Sequence, residues 1–263
     1  MRHGSTFHEL RKLASWFRQD SWPAAVCPRC RRAELIVDKL DSFETMESKR
    51  AHDHENWDPD WIQGSYYAIL SCPRQECLER VISVGEMQVA PVVTESGSWY
   101  GEYDDHLLPK YFQPPLNIID LPDKCPADIG AQIEDASRIL FMDPDSAANR
   151  IRVAIETLLT ANKVPRSATG KKGRYRLTTD ARIKRFAEKK PEVADFLKAV
   201  KWIGNAGSHE KSLTTSDVLD GIELFHHAID LLYNNRRQEL ARLATKINQN
   251  KGIKKSRPKK PPF

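Results

Sequence analysis

Cys27-Pro28-Arg29-Cys30 and Cys72-Pro73-Arg74-Gln75-Glu76-Cys77 hold four of the chain's five cysteines in two tight pairs. Zinc takes four soft ligands in a tetrahedron, and a Cys-x-x-Cys turn brings two sulfurs on one chain reversal to within about 2.3 Å of a single ion. The second pair, with four residues between its sulfurs, lies at the wide end of what such a knuckle tolerates. Strand signals flank both pairs. AELIV (33–37) follows the first, SYYAIL (65–70) precedes the second and ERVISVGEMQV (79–89) follows it, all enriched in β-branched or aromatic residues. This layout predicts a zinc ribbon closed by Cys27, Cys30, Cys72 and Cys77 around one structural zinc ion. Four sulfurs leave no open coordination position for hydrolytic chemistry. A disulfide framework is the competing reading. It requires export, and MRHGSTFHELRKLASWF (1–17) has neither an unbroken apolar stretch nor a small-residue cleavage site. His52 and His54, in AHDHENWDPDW (51–61), are either substitute ligands or solvated loop histidines. Cys125, alone before a proline, reads as a packed thiol.

Outward from the cysteines, 263 residues suffice for one or two domains with their own cores. A hydrophobic fraction of 40%, a charged fraction of 29% and a mean hydropathy of -0.58 describe a globular chain in water, expected in the cytoplasm with no membrane partner. No apolar run approaches the roughly 18 residues that a membrane helix needs.

Residues 1–90 are expected to form an N-terminal helix plus the ribbon. Thr6-Phe7-His8-Glu9 reads as a capping box, and Phe7, Leu10, Leu13, Ala14 and Phe17 follow at helical spacing. Residues 91–126, rich in proline, aromatics and acids, read as an extended connector, with too many prolines for the interior of a sheet. From residue 127 to 248 the periodicity becomes helical. Ile129, Ile133, Ala136 and Leu140 share one face; Asp143-Pro144 supplies an N-cap and a proline at the first helical position. Pro191 opens a further helix, and Thr214 to Asp217 caps a last one with the stripe Val218, Ile222, Phe225, Ile229. The expected fold class is α+β but mainly α: a small zinc β-ribbon followed by an antiparallel helical bundle. Residues 249–263 carry lysines and an arginine without acids and read as a disordered basic tail.

The net charge of +5 hides two opposed regions. Between Lys163 and Lys190, eleven basic residues meet only Asp180 and Glu188. Between Glu95 and Asp145, eleven acids meet three bases. A basic loop bearing Lys171, Lys172, Arg174 and Arg176, together with Lys254 and Lys255 of the tail, has the composition of a phosphate-contacting surface for RNA or DNA. The alternative is that this basic face docks on the acidic segment or is simply solvated.

Lys201-Trp202-Ile203-Gly204-Asn205-Ala206-Gly207-Ser208-His209 closes an apolar helix with small residues. Gly204 and Gly207 permit close backbone approach, while Asn205 and His209 fall four apart on one helix face. They read either as helix-end capping groups or as a polar pair at a cleft. The succession LLPKYFQPPLNIIDLP, DPDSAANRIRVAIETLL, GRYRLTTDARI, LKAVKWIGNAGSH and SDVLDGIELFHHAIDLLY resembles the bacterial domain-of-unknown-function family numbered 4145. That family is similar to the HEPN helical superfamily, many of whose members are dimeric ribonucleases, and its members occur beside defence proteins. The resemblance implies a HEPN-like bundle, a homodimer and a partner in a phage-defence or restriction system. It places Asn205 and His209 at the polar and histidine positions of the catalytic pattern. Gly204 stands where the pattern has arginine. The favoured expectation is therefore a non-catalytic adaptor that binds nucleic acid or a partner protein. The alternatives are a metal-independent endoribonuclease using His209 and Asn205 with Lys201 as its cation, and a pure protein-interaction subunit.

Overall fold

The computed structural model describes residues 3–93, 99–206, 212–234 and 236–252. The N-terminal part is built on a five-stranded antiparallel sheet in the order β1-β5-β4-β3-β2: β1 (Phe17–Arg18), β2 (Ile36–Glu44), β3 (Gln63–Ser71), β4 (Arg80–Val93) and β5 (Trp99–Gln113). α1 (His3–Leu13) precedes it, and α2 (Met46–Ala51) lies between β2 and β3. Side chains alternate across β3 and β4 as a two-residue period requires, so Tyr66, Ala68, Leu70, Val81 and Met87 turn into the core. The Tyr66 hydroxyl would be costly to bury alone; it is paired with Ser83 Oγ at 3.0 Å.

This sheet corrects the expected fold class. The strands and helices together make an α+β fold, but the β part is not a small ribbon attached to a mainly helical chain. The segment read as a connector provides β5, the longest strand among the described residues. Pro109, which argued against a sheet interior, pairs with Gly85 at a β-bulge; the register runs Val84↔Tyr111 and then Gly85↔Pro109, leaving Lys110 as the extra residue. A bulge interrupts the ladder at the point where proline has no N–H to give. On its other side β5 pairs through Leu107 and His106 with Phe17 and Arg18 of β1, and the Gln19 N–H continues the contact to the Asp105 carbonyl at 3.0 Å. The chain leaves the sheet through a cis Gln113-Pro114 bond.

The helical part comprises α3 (Ala127–Ile139), α4 (Pro144–Ala161), α5 (Thr179–Ala187), α6 (Pro191–Ala206), α7 (Thr215–Tyr233) and α8 (Arg236–Gln249). Two expected caps form. Asp143 accepts the Ser146 N–H at 2.9 Å, and Thr214 and Asp217 complete a reciprocal capping box. The apolar stripes meet as their spacing requires: Ile151, Ala154, Ile155 and Leu158 of α4 and Val218, Ile222, Phe225 and Ile229 of α7 are all at most 2% exposed.

α1 runs from His3, three residues ahead of the expected capping box; Glu9 accepts from Lys12 Nζ and from the Ala24 N–H. α1 buries Phe7, Leu10 and Leu13 and packs on α7, where Arg11 bonds Asp220 at 2.6 Å and Glu223 at 2.8 Å. His226 of α7 reaches the Asp120 carbonyl at 3.1 Å, and Asn117 donates to the Pro28 carbonyl at 2.7 Å. Sheet and helices therefore share one continuous core.

Candidate functional site

The two cysteine pairs converge at the end of the sheet. The first knuckle follows Ala25; the Cys27 N–H bonds the Ala33 carbonyl at 2.8 Å, and the Arg31 N–H returns to the Cys27 carbonyl at 3.0 Å. The second joins β3 to β4, with the Cys72 N–H on the Glu79 carbonyl at 2.8 Å and the Leu78 N–H on the Arg74 carbonyl at 3.0 Å. In both, the residue after the second cysteine enters the left-handed region: Arg31 at φ 53° and Leu78 at φ 51°. The turn geometry is thus shared despite the two extra residues in the second pair.

The four sulfurs lie within 4.8 Å of one another, with Cys27–Cys77 at 3.7 Å and Cys30–Cys72 at 3.6 Å. These separations are far longer than a disulfide's roughly 2.05 Å. They match the edge of a tetrahedron, about 3.8 Å, set by ligand bonds of about 2.3 Å. The donor set therefore fits one tetrahedral thiolate-bound metal ion. The Arg32 N–H bonds the Cys30 sulfur and lowers its thiol to about 6, whereas burial pushes Cys72 up to about 12. His52 and His54 do not join them. His52 Nε2 pairs with Glu44 at 2.7 Å, and His54 Nδ1 accepts the Asn56 N–H at 3.2 Å. Cys125 is a partly buried thiol raised to about 11 by its burial.

The basic loop is a β-hairpin, which the sequence reading missed. β6 (Ser167–Gly170) and β7 (Gly173–Arg176) pair so that Gly170 faces Gly173, and Lys171-Lys172 forms the two-residue turn with Gly173 at φ 103°. Two residues bracketed by glycines, Gly170-Lys171-Lys172-Gly173, are the hairpin signal that was available. Both lysines are exposed and make no ion pair among the described residues. Arg174 Nε bonds Ser167 Oγ at 2.8 Å, and Arg176 approaches Glu156 at 3.6 Å. The basic hairpin does not dock on the acidic segment; Asp104, Asp120 and Asp135 pair instead with Arg18, Arg31 and Arg150. Lys254 and Lys255 lie outside the described residues.

At the end of α6 the structure separates the residues that the sequence put together. Lys201 is buried, 2.7 Å from Asp180 and with its ammonium 3.8 Å from the centre of the Trp202 ring. It is held as a structural cation joining α6 to α5. Gly204 is buried where α6 crosses α4: a Cβ there would lie 3.3 Å from the Ala148 carbonyl oxygen and 3.4 Å from Arg152 Cβ. The glycine serves a close helix–helix contact, and the Arg152 stem lies against it. Asn205 is partly buried; Gly207, Ser208 and His209 lie outside the described residues.

Fold and site together define a two-part chain, a four-cysteine antiparallel sheet unit joined through a common core to a helical unit that carries a basic hairpin. Residues 15–112, which include all four clustered cysteines, match the family model described as Domain of unknown function (DUF8608), and residues 134–250 match the one described as Domain of unknown function (DUF4145). The second match agrees with the resemblance seen in the helical segments, while the sheet unit matches a different family. No curated protein and no solved structure gives a match to the chain. No helix among the described residues is long and apolar enough to cross a membrane.

Proposed function

We propose that the chain is a non-catalytic nucleic-acid-binding adaptor: a zinc-stabilised sheet unit fused to a HEPN-like helical unit whose hairpin contacts phosphates. The observation that carries this reading is the hairpin itself. Lys171 and Lys172 in the two-residue turn and Arg174 beside it have no acidic partner among the described residues, so their charge is available to displace counterions from a nucleic-acid backbone. In this reading one zinc ion at Cys27, Cys30, Cys72 and Cys77 holds the two knuckles together and takes no part in binding chemistry. A cytoplasmic setting suits this role, because reduced thiols are its ligands. The resemblance adds a homodimer and a partner protein in phage defence.

Incubation of purified protein with labelled RNA in EDTA, beside a His209→Ala control, tests the reading. Intact RNA with salt-dependent gel retardation supports it; cleavage lost in the variant overturns it.

One observation favours the endoribonuclease as a second reading. Arg152 of α4 packs its stem against Gly204, the position where the HEPN pattern has arginine, and its Nη2 donates to Asn149 Oδ1 at 3.0 Å. Lys201, bound to Asp180, is not the cation in that case. Loss of RNA cleavage in Arg152→Ala but not in Lys201→Met would favour it.

A further inference from the structure

Behind the hairpin, between it and α4 and α5, lies a cleft of about 550 Å³ lined by Arg166, Arg174, Arg176, Arg182, Glu156 and Tyr175. Four guanidiniums against one carboxylate leave a local charge of +3, in a space within the roughly 300–1,000 Å³ usual for ligand sites.

Arg182 is the unusual member. It is 2% exposed, yet no carboxylate lies within ion-pair distance of it among the described residues. Its Nη atoms bond the carbonyls of Glu156 and Val164, at 3.1 Å each, and Thr160 Oγ1 at 2.8 Å, which ties α5 to α4 and to the residues that follow it. Its Nε has no partner among the described residues. Burial, with the nearby Arg166 and Arg176, lowers its affinity for its proton. A cation taken out of water costs several kcal/mol unless an anion accompanies it. Glu156 does not fill that need, since its carboxylate already accepts from Thr179 Oγ1 at 2.7 Å and faces Arg176. Among the described residues Arg166 and Arg174 use only their Nε atoms, on Thr160 Oγ1 at 3.1 Å and on Ser167 Oγ at 2.8 Å, which leaves the forked ends of both for a ligand. Guanidinium forks match the oxygens of a phosphoryl group in pairs. Tyr175 stands at the rim, half-exposed, with its ring edge against Gly170, where a Cβ would come within 3.2 Å.

We infer that this cleft is a discrete binding site for one phosphate ester, seated between Arg166 and Arg174 over the buried Arg182. The site stands on the cleft alone; only the view that the phosphate belongs to a nucleic-acid backbone rests on the proposed function.

Titration calorimetry of the full chain with inorganic phosphate, at fixed ionic strength with chloride as the control, tests it. A saturable one-to-one isotherm is expected, with the midpoint raised at least tenfold in Arg166→Gln and in Arg174→Gln. Both residues are exposed, so their replacement leaves the bonds of Arg182 to the Glu156 and Val164 carbonyls in place. No phosphate heat above the chloride control, or equal binding by the variants, overturns the site whether or not nucleic acid binds. A single-stranded thymidine oligonucleotide then identifies the source. Competition with phosphate assigns the site to the backbone. Phosphate binding with no competition keeps the site and assigns it to a free phosphate ester. Phosphate binding with no retardation of any nucleic acid keeps the site and overturns the adaptor reading.

Discussion

Lys201 Nζ and Asp180 Oδ1 meet at 2.7 Å, and the pair ties the middle of α6 to the first turn of α5. Lys201 is 5% exposed, and the Trp202 ring covers its ammonium. The ammonium thus meets a carboxylate and an aromatic face, the two partners a buried cation uses. A double-mutant cycle on Lys201→Met and Asp180→Asn should return a coupling of about 1 kcal/mol, since Asp180 is partly exposed and also bonds Lys184. A coupling near zero in urea unfolding would remove the structural role assigned to the pair.

The same contact sets a pH dependence. The hydrogen bond from Lys201, then that from Lys184, holds the Asp180 carboxyl down at about 2. A group whose folded pKa is depressed stabilises above its unfolded value, about 3.9, and loses that contribution as pH falls through the folded one. The stability difference between the wild type and Asp180→Asn should therefore be constant above about pH 5 and shrink between about pH 4 and pH 2. Urea midpoints of both proteins across that range check it.

At the metal centre, dialysis against a strong chelator should lower the melting temperature of the sheet unit, and metal analysis of untreated protein should find one zinc per chain. Cys30→Ser or Cys72→Ser should abolish retention. His52→Ala and His54→Ala should leave zinc content unchanged, because their rings are engaged with Glu44 and Asn56.

Leu78 is 66% exposed and held at φ 51°, a conformation that costs an L-residue about 1–2 kcal/mol. Glycine occupies it freely but adds entropy to the unfolded chain. Leu78→Gly should raise stability by about 0.5 kcal/mol in denaturant titration with zinc content unaltered, whereas Leu78→Val should lower it.

Gly204→Arg would drive a side chain into the Ala148 carbonyl and the Arg152 stem. Overpacking of this kind costs about 1–3 kcal/mol. The substitution should lower thermal stability without generating RNA cleavage, even though it restores the residue type of the HEPN pattern.

Lys171→Gln with Lys172→Gln should leave the melting temperature within about 2 °C, since neither exposed side chain has an ion-pair partner to lose among the described residues. The log–log slope of nucleic-acid affinity against salt should become shallower by about 0.9 for each lysine that contacts a duplex phosphate.

What the sequence determined by itself was local. The paired cysteines define their own metal site because the spacing fixes two turns, and the only non-local requirement is that the turns meet. Asp143 and Thr214 cap their helices because a cap needs nothing beyond the next three residues. The stripes of α4 and α7 follow from the helical period in the same way. Long-range pairing is what the sequence did not show. β5 is a strand because it bulges at Lys110, which lets Pro109 pair with Gly85 of β4; in isolation its prolines and acids read as irregular chain. Gly204 and Lys201 read as parts of one motif, but α4 claims the glycine for backbone contact and Asp180 claims the lysine for its charge. Only the tertiary structure could place Arg166, Arg174, Arg176 and Arg182 around one cleft, since an arginine's neighbours across a hairpin and two helices are set by packing and not by spacing along the chain.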